Sequence, residues 1–391
     1  MIWLALFIPL IAIIFVSVRF TKRISILEYI LLFAIPLACI AIGKYASTYS
    51  QTHDIEYWNS FGVRAMYEEE WKERWTETET YTTTDGEGNT QTHTRIVTRN
   101  KTHPEQWSLF DDIEGSYSIS KSYFEQICTL WSNRTFKDMQ REENTSHTIT
   151  KDGNAYVAIY DDLFDHTIPV CKQHTYENRI QCSKSVFNFE EVSDETKAQY
   201  KLFDYPPEDV FGFNPILGHS NQRASSILSH HNAHNGRRRQ IHMMLLVFQD
   251  QSLEAGLFQE SYWKGGNKNE FILCVGLKGN EIKWTRIISW TEQEELKIRV
   301  ARKIKEMEKF DAVQVVSYMG EEIPSGFLRK KFADFNYLSV EPTMTAIWIT
   351  FAITFIVTLV IMIIAINNEC DFEGFIEKFG KRRHNRYNSF G

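Results

Sequence analysis

MMLLVFQDQSLEAGLFQESYWKGGNKNEFILCVGLKGNEIKWTRIISW, residues 243–290, is the stretch from which a fold can be built. MMLLVF (243–248) and FILCVGL (271–277) are short apolar runs of a length that suits strands buried on both faces, so further layers must cover them. KGNE (278–281) reads as a hairpin turn, because Gly279 and Asn280 tolerate the positive φ such turns require. Alternation follows, with Ile282, Trp284, Ile288 and Trp290 on one face, Lys283, Thr285 and Ser289 on the other, and Arg286 and Ile287 out of step. Thr291, three residues before Glu294, forms a capping box for a helix whose first turn is acidic. That helix should bury Leu296, Val300, Ile304 and Met307 and turn its Lys and Arg residues outward. AVQVVSY (312–318) is predicted to be a further strand, and residues 325–337 a last helix. The resulting order is β-α-β-β-α-β-α.

Toward the N-terminus the texture changes. HSNQRASSILSHHNAHNGRRRQIH (219–242) is rich in His, Asn and Ser, and a short helix over 221–235 ended by Gly236 is expected. Residues 205–218 read as an irregular connection. SISKSYFEQICTLWSNR (118–134) is a helix opened by Ser120, with Tyr123, Ile127 and Leu130 or Trp131 inward. WKERWTETETYTTT (71–84) and TQTHTRIVTRN (90–100) are long strands joined by DGEGN (85–89), polar on both faces beyond Trp71 and Trp75. This hairpin projects as an arm, serving either as a partner-binding edge or as a plain solvated ribbon.

Beyond the soluble part, residues 2–18 and 24–42 are nearly all apolar and each is long enough for a hydrocarbon core of roughly 30 Å. Arg19, Lys22 and Arg23 make a basic turn between them. The first run is an uncleaved span or, alternatively, a signal peptide, though it lacks a basic start and a small-residue cleavage site. Residues 344–366 carry no charge at all and form a third span. The basic turn and the tail KRRHNR (381–386) are both cytoplasmic by the positive-inside rule. Everything between about 44 and 342 is then extracytoplasmic, with Arg329, Lys330 and Lys331 as a counter-signal, and the C-terminus is cytoplasmic. The expected architecture is α+β and membrane-anchored: a helical hairpin over 1–45, a β-rich subdomain with the projecting hairpin over 46–218, an α/β module over 219–342, a transmembrane helix over 343–367 and a basic tail over 368–391.

A net charge of −7 argues against a general nucleic-acid binder. Six Cys with no CxxC pair leave zinc-ribbon and thioredoxin sites unsupported. Cys171 and Cys182, in a segment assigned to an oxidising compartment, are candidates for a disulfide. His230 and His234 stand at i, i+4, the spacing a metal pair needs, or else belong to a solvated connector. Gly265 and Gly266, between Lys264 and Lys268, form either an anion-binding nest or a glycine-capped turn from helix to strand. Acidic clusters at Asp111, Asp112 and Glu114 and at Asp161, Asp162 and Asp165 lack a regular calcium-loop pattern. No nucleophile elbow marks a Ser-His-Asp set.

LLVFQDQS (245–252), a helix, NEFILCVGLKGNEIKWTRIISW (269–290), a basic helix and a C-terminal span together resemble a TPM-type domain, the small α/β domain of membrane-anchored extracytoplasmic proteins. EYWNSFGVRAMYEEEW (56–71), HPEQW (103–107), FNPILG (213–218), SYWKGGNKNEF (261–271) and WTRIISW (284–290) are similar to uncharacterised membrane proteins of tailed phages and some bacteria. The TPM resemblance implies either assembly or repair of membrane complexes, or a phosphatase using acidic residues and a divalent metal; the family's acidic positions find no match here, and Asp250, after the first strand, is the one candidate. With several Trp-rich strands and no catalytic set in the sequence, the expected activity is contact with another membrane or envelope protein alongside the lipid bilayer. The alternative is a divalent-metal phosphatase with Asp250 and the Gly265-Gly266 loop at its site.

Overall fold

The computed structural model describes residues 1–20, 26–86, 88–182 and 189–367; Lys22, Arg23 and the basic tail lie outside them. In chain order the elements are α1 (Phe7–Arg19), α2 (Ile26–Thr52), β1 (His53–Glu68), β2 (Trp71–Thr84), β3 (Thr90–His103), β4 (Gln106–Asp111), β5 (Ser116–Ser118), α3 (Lys121–Leu130), β6 (Thr135–Lys137), β7 (His147–Lys151), β8 (Ala155–Ile159) and β9 (Pro169–Glu177). Then come α4 (Asp194–Tyr200), β10 (Ile216–Leu217), α5 (Gln222–Arg239), β11 (His242–Gln249), α6 (Leu253–Tyr262), β12 (Glu270–Lys278), β13 (Glu281–Ile288), α7 (Glu294–Lys305), α8 (Ala312–Gly326) and α9 (Met344–Asn367). The class is mixed α+β. The chain divides into two compact units, one of residues 1–54, 175–188 and 332–391, the other of residues 55–174 and 189–331.

The first unit holds the three helices long and apolar enough to cross a membrane, over Ile2–Arg19, Ile26–Thr52 and Met344–Ile366. They pack through two apolar clusters, Ile2, Ala5, Ile40 and Ile347 in one and Ala12, Val16, Leu32 and Ile361 in the other. Where α2 ends, the Asp54 carboxylate accepts hydrogen bonds from Tyr176 and Asn178, and the Cys182 thiol donates to the Gln51 carbonyl at 2.9 Å.

In the second unit, the stretch 243–290 forms the predicted buried strands. β11 and β12 are parallel, β12 and β13 antiparallel, and β10 adds in parallel at the other edge. Met243, Leu245 and Val247 face α5, α7 and α8, while Met244, Leu246 and Phe248 face α6 and the segment 202–217. Burial on both sides is what the unbroken apolar runs encode. Gly279 takes φ +62° in the two-residue turn between β12 and β13.

Four expectations are corrected here. Ile282 does not share a face with Trp284 and Ile288: the register shifts between Gly276 and Leu277, a bulge that puts Ile282 with α7 and α8 while Trp284 packs on α6. Residues 312–318 are the start of α8, not a strand. Asp311 caps it by accepting from the backbone N–H groups of Val313 and Gln314, and Ala312, Val315, Val316, Met319 and Ile323 line one buried stripe. Only the beginning of that stripe looks like a β-branched strand. The predicted last helix over 325–337 reduces to a 3-10 turn at Phe332–Phe335. Finally, α7 opens at Gln293 with no side-chain cap, because the Thr291 hydroxyl accepts instead from the Gln293 N–H at 3.4 Å.

The N-terminal half of this unit is a six-stranded sheet in the order β5-β4-β1-β8-β6, with β9 also on β1. α3, capped by Ser120 as predicted, covers it with Phe124, Ile127 and Trp131. A separate sheet, β3-β2-β7, contains the hairpin.

Candidate functional site

α5 begins at Asn221, whose side-chain oxygen accepts from the Ala224 N–H, and runs past Gly236 to a left-handed residue, Gln240. Gly236 therefore does not end the helix. It lies where the β1 backbone at Asn59 passes so close that no side chain fits. The same contact locks the two elements together, since the Asn59 amide donates to the Ile241 carbonyl and lies 3.0 Å from the His242 Nδ1.

His230 and His234 do share a face of α5, the first buried and the second half-buried. His230 Nε2 is 3.2 Å from the Ser226 hydroxyl and His234 Nε2 is 2.8 Å from the Thr167 hydroxyl. The Phe164 ring sits 5.4, 4.9 and 5.5 Å from the His230, His231 and His234 rings. Burial holds all three imidazoles below their ordinary range, His230 at about 4. The solvated-connector expectation fails, because the partners that bury these residues come from distant positions. Among the described residues, no group of three or more His, Cys, Asp or Glu is placed to hold a metal ion.

Ser226 and His230 line a cleft of about 320 Å³ together with Asn59, Asn214 and Ser229. A hydroxyl one helical turn from an imidazole has the contact a nucleophile needs. Burial holds that imidazole at about 4, which makes it a weak base at neutral pH.

Asp250 stands exposed at the C-terminal end of β11 in a left-handed conformation, φ +54°. Asn232 of α5 brackets Met243, near the opposite end of that strand. Seven residues of strand put Asp250 roughly 23 Å from that point, so it does not join the histidines. Nor does it meet Gly265 and Gly266. Those precede β12, whose Glu270 registers with His242 at the start of β11. The backbone of the glycine turn does not form a nest: the N–H groups of Lys264, Gly265 and Gly266 bond to the carbonyls of Ser261, Glu260 and Trp263. It is a helix C-cap.

Cys171 is buried, and its thiol is pushed far above the usual range by desolvation; Cys182 belongs to the other compact unit. Both carry free thiols. A feature the sequence did not announce is Glu56, wholly buried, which accepts two bonds from Arg329 at 2.6 and 2.8 Å and one from the Trp58 indole at 2.8 Å. With Lys330 paired to Glu292, two of the three cations at 329–331 are committed to the fold.

The surface with most to offer is the hairpin. β2 and β3 pair at fourteen consecutive positions without a bulge, from Trp71↔His103 to Thr84↔Thr90, and β7 covers only Lys72–Trp75. One face carries acids on β2 and bases on β3: Glu79 bonds Arg95 at 3.0 Å, Glu77 bonds Arg99 at 2.6 Å, and Glu73 bonds His103 at 2.8 Å. The other is threonine, as in Thr76↔Thr98, Thr80↔Thr94 and Thr82↔Thr92, interrupted by Ile96. At the base, the Arg141 guanidinium lies 3.8 Å over Trp71, which stacks on His103 at 3.6 Å. The charge asymmetry between the two strands is present in the sequence, but a description of both faces as polar passes over it.

No family model, curated protein or solved structure matches the chain.

Proposed function

We propose that this is a membrane-anchored protein whose extracytoplasmic part makes protein contacts at an envelope, with the β2–β3 hairpin as the contacting arm. The observation that carries this reading is the arm itself. Past residue 75 it is two-stranded and largely exposed on both faces, yet it keeps an unbroken register and cross-strand ion pairs. Free two-stranded ribbons are marginally stable in water, so a long ordered one implies a use that offsets its cost. The three apolar helices supply the anchor, and the basic residues at Arg19 and in the tail orient it with the C-terminus cytoplasmic. The phage-protein resemblance suggests a bacterial host envelope as the setting. A divalent-metal phosphatase is not favoured, because Asp250 and the Gly265-Gly266 turn sit at opposite ends of their sheet.

A photo-crosslinking residue at Ile96 tests the reading in cells, with one at Ile298, exposed on α7, as the comparison. A discrete protein adduct from Ile96 alone is expected. The same adducts from both positions, or none from Ile96, would remove the arm from the account.

A further inference from the structure

We propose that the free edge of β3 takes up an extended acidic segment of a partner protein as an additional strand, a deepening that rests on the protein-contact reading above. β3 is the terminal strand of the sheet β3-β2-β7. The Thr76 N–H donates to Ser146, on the β7 side, and the Asp85 N–H donates to Asn89, on the β3 side. Strand alternation therefore directs odd-numbered residues of β2 toward β3. Through the pair Glu77↔Val97, odd-numbered residues of β3 bond back to β2. Thr94, Ile96, Thr98 and Asn100 send their N–H and C=O groups outward.

Proteins guard such edges with proline, a bulge, a very short strand or charged side chains. β3 uses only the last: its fourteen residues pair in unbroken register, Ile96, at 77% exposure, is a large apolar side chain left in solvent, and the charges at Arg95, Arg99 and Lys101 repel basic neighbours while leaving the edge open to an acidic one. The chemistry of the occupant follows from the side chains. Thr90–His103 contains Arg95, Arg99 and Lys101 and no carboxylate, so a second copy of β3 would bring like charges together. The strand already paired with it shows what fits: Glu77-Thr78-Glu79-Thr80 sets acids beside the arginines and β-branched residues beside Thr94, Ile96 and Thr98. The missing neighbour would carry the same alternation, its main chain supplying affinity and its acids the selectivity.

The full chain in nanodiscs of uncharged phosphatidylcholine is titrated with a fluorescent peptide of alternating Glu and Thr or Val. Its Lys-for-Glu counterpart and a single-stranded oligonucleotide serve as comparisons. The acidic peptide should bind at least about tenfold tighter than either. Ile96→Pro removes an outward N–H without breaking a bond to β2, and should weaken binding at least about tenfold. Independently of that variant, peptide binding should slow amide exchange at Thr94, Ile96, Thr98 and Asn100 and leave Val97 unchanged. Absent binding, equal binding of the basic peptide or the oligonucleotide, or unaltered exchange at the outward amides overturns the proposal. If the acidic peptide fails while crosslinking from Ile96 persists, the strand proposal falls and the protein-contact reading stands.

Discussion

Gly236→Ala tests the packing of α5 on β1. A methyl group at this position would lie 2.5 Å from the Asn59 carbonyl carbon, 3.0 Å from its Cβ and closer still to its oxygen. Carbon atoms in good contact sit about 3.5–4.0 Å apart, so one element must move by roughly 1 Å. The obstacle is main chain, and Asn59 is held by its bonds to Ile241 and His242, so β1 has little freedom to yield. One effect opposes the clash. Alanine is about 1 kcal/mol better than glycine inside a helix, and part of that gain comes from the unfolded chain. Overpacking a rigid site costs about 1–3 kcal/mol, sometimes more, and backbone obstruction belongs at the upper end. The expected balance is a net loss of about 1–2 kcal/mol, or several degrees in the melting temperature of a unit of this size. Gly86→Ala, where nothing lies within 4 Å, should stay within about 0.5 kcal/mol. Thermal and denaturant unfolding of both variants in the same detergent gives the answer. A Gly236→Ala protein as stable as the parent, or more stable, would mean that α5 does not approach β1 as described.

Asp111→Ala should cost at least about 3 kcal/mol, since it leaves the hydroxyls of Ser60 and Tyr117 and the N–H of Ile113 without their buried acceptor. A denaturation midpoint close to the parent's would refute that role. Acid should destabilise the second unit. His230 is held at about 4 and His242 at about 3 by burial, against 6.5 for the unfolded chain, so below pH 6.5 the unfolded state binds protons that the folded state refuses. Stability should fall by up to about 1.4 kcal/mol per pH unit for each residue, His230 ceasing to contribute below about pH 4 and His242 below about pH 3. A flat profile between pH 6 and 4 in denaturant titrations would contradict their burial. At the base of the arm, Glu73 is held low by its bonds to His147 and His103, and His147 is held high by Glu73. Their mutual support is lost as pH falls through the lowered Glu73 value and again as pH rises through the raised His147 value. The protection factor at Thr148, exchange corrected for the intrinsic pH dependence of amide chemistry, should therefore peak in the mildly acidic range between, and a monotonic protection profile would count against the pairing. Finally, a cysteine at Gly86 should be labelled by an impermeant reagent on intact cells; protection there would invert the proposed topology.

What the sequence disclosed, and what it hid, follows from how local each determinant is. The strands at 243–248 and 271–277 were legible because burial on both faces demands continuous apolar residues, a pattern contained within each strand. The bulge opposite Gly276 was not. It exchanges the faces of Ile282 and Trp284 through a cross-strand register that no single strand records. α8 was misread for a related reason: AVQVV satisfies strand propensity by itself, and its helical period emerges only when Met319 and Ile323 are included. The histidines of α5 posed the hardest case. Asn, Ser and His neighbours describe a solvated segment, yet Phe61, Phe164 and Thr167, all more than sixty positions earlier, close over them.

The same distinction bears on the arm. Its turn, threonines and opposed charges are local, so the hairpin could be expected from residues 71–100. Which of its two edges stays open is decided by β7, which arrives from residues 147–151 to pair with β2. Had β7 paired with β3 instead, the exposed edge would have been the acidic strand, and the complementary partner would have been basic. Charge patterning thus defines two candidate partners of opposite sign, and a single long-range pairing selects between them. The preference of the open edge for glutamate over lysine therefore probes that pairing as directly as it probes the partner.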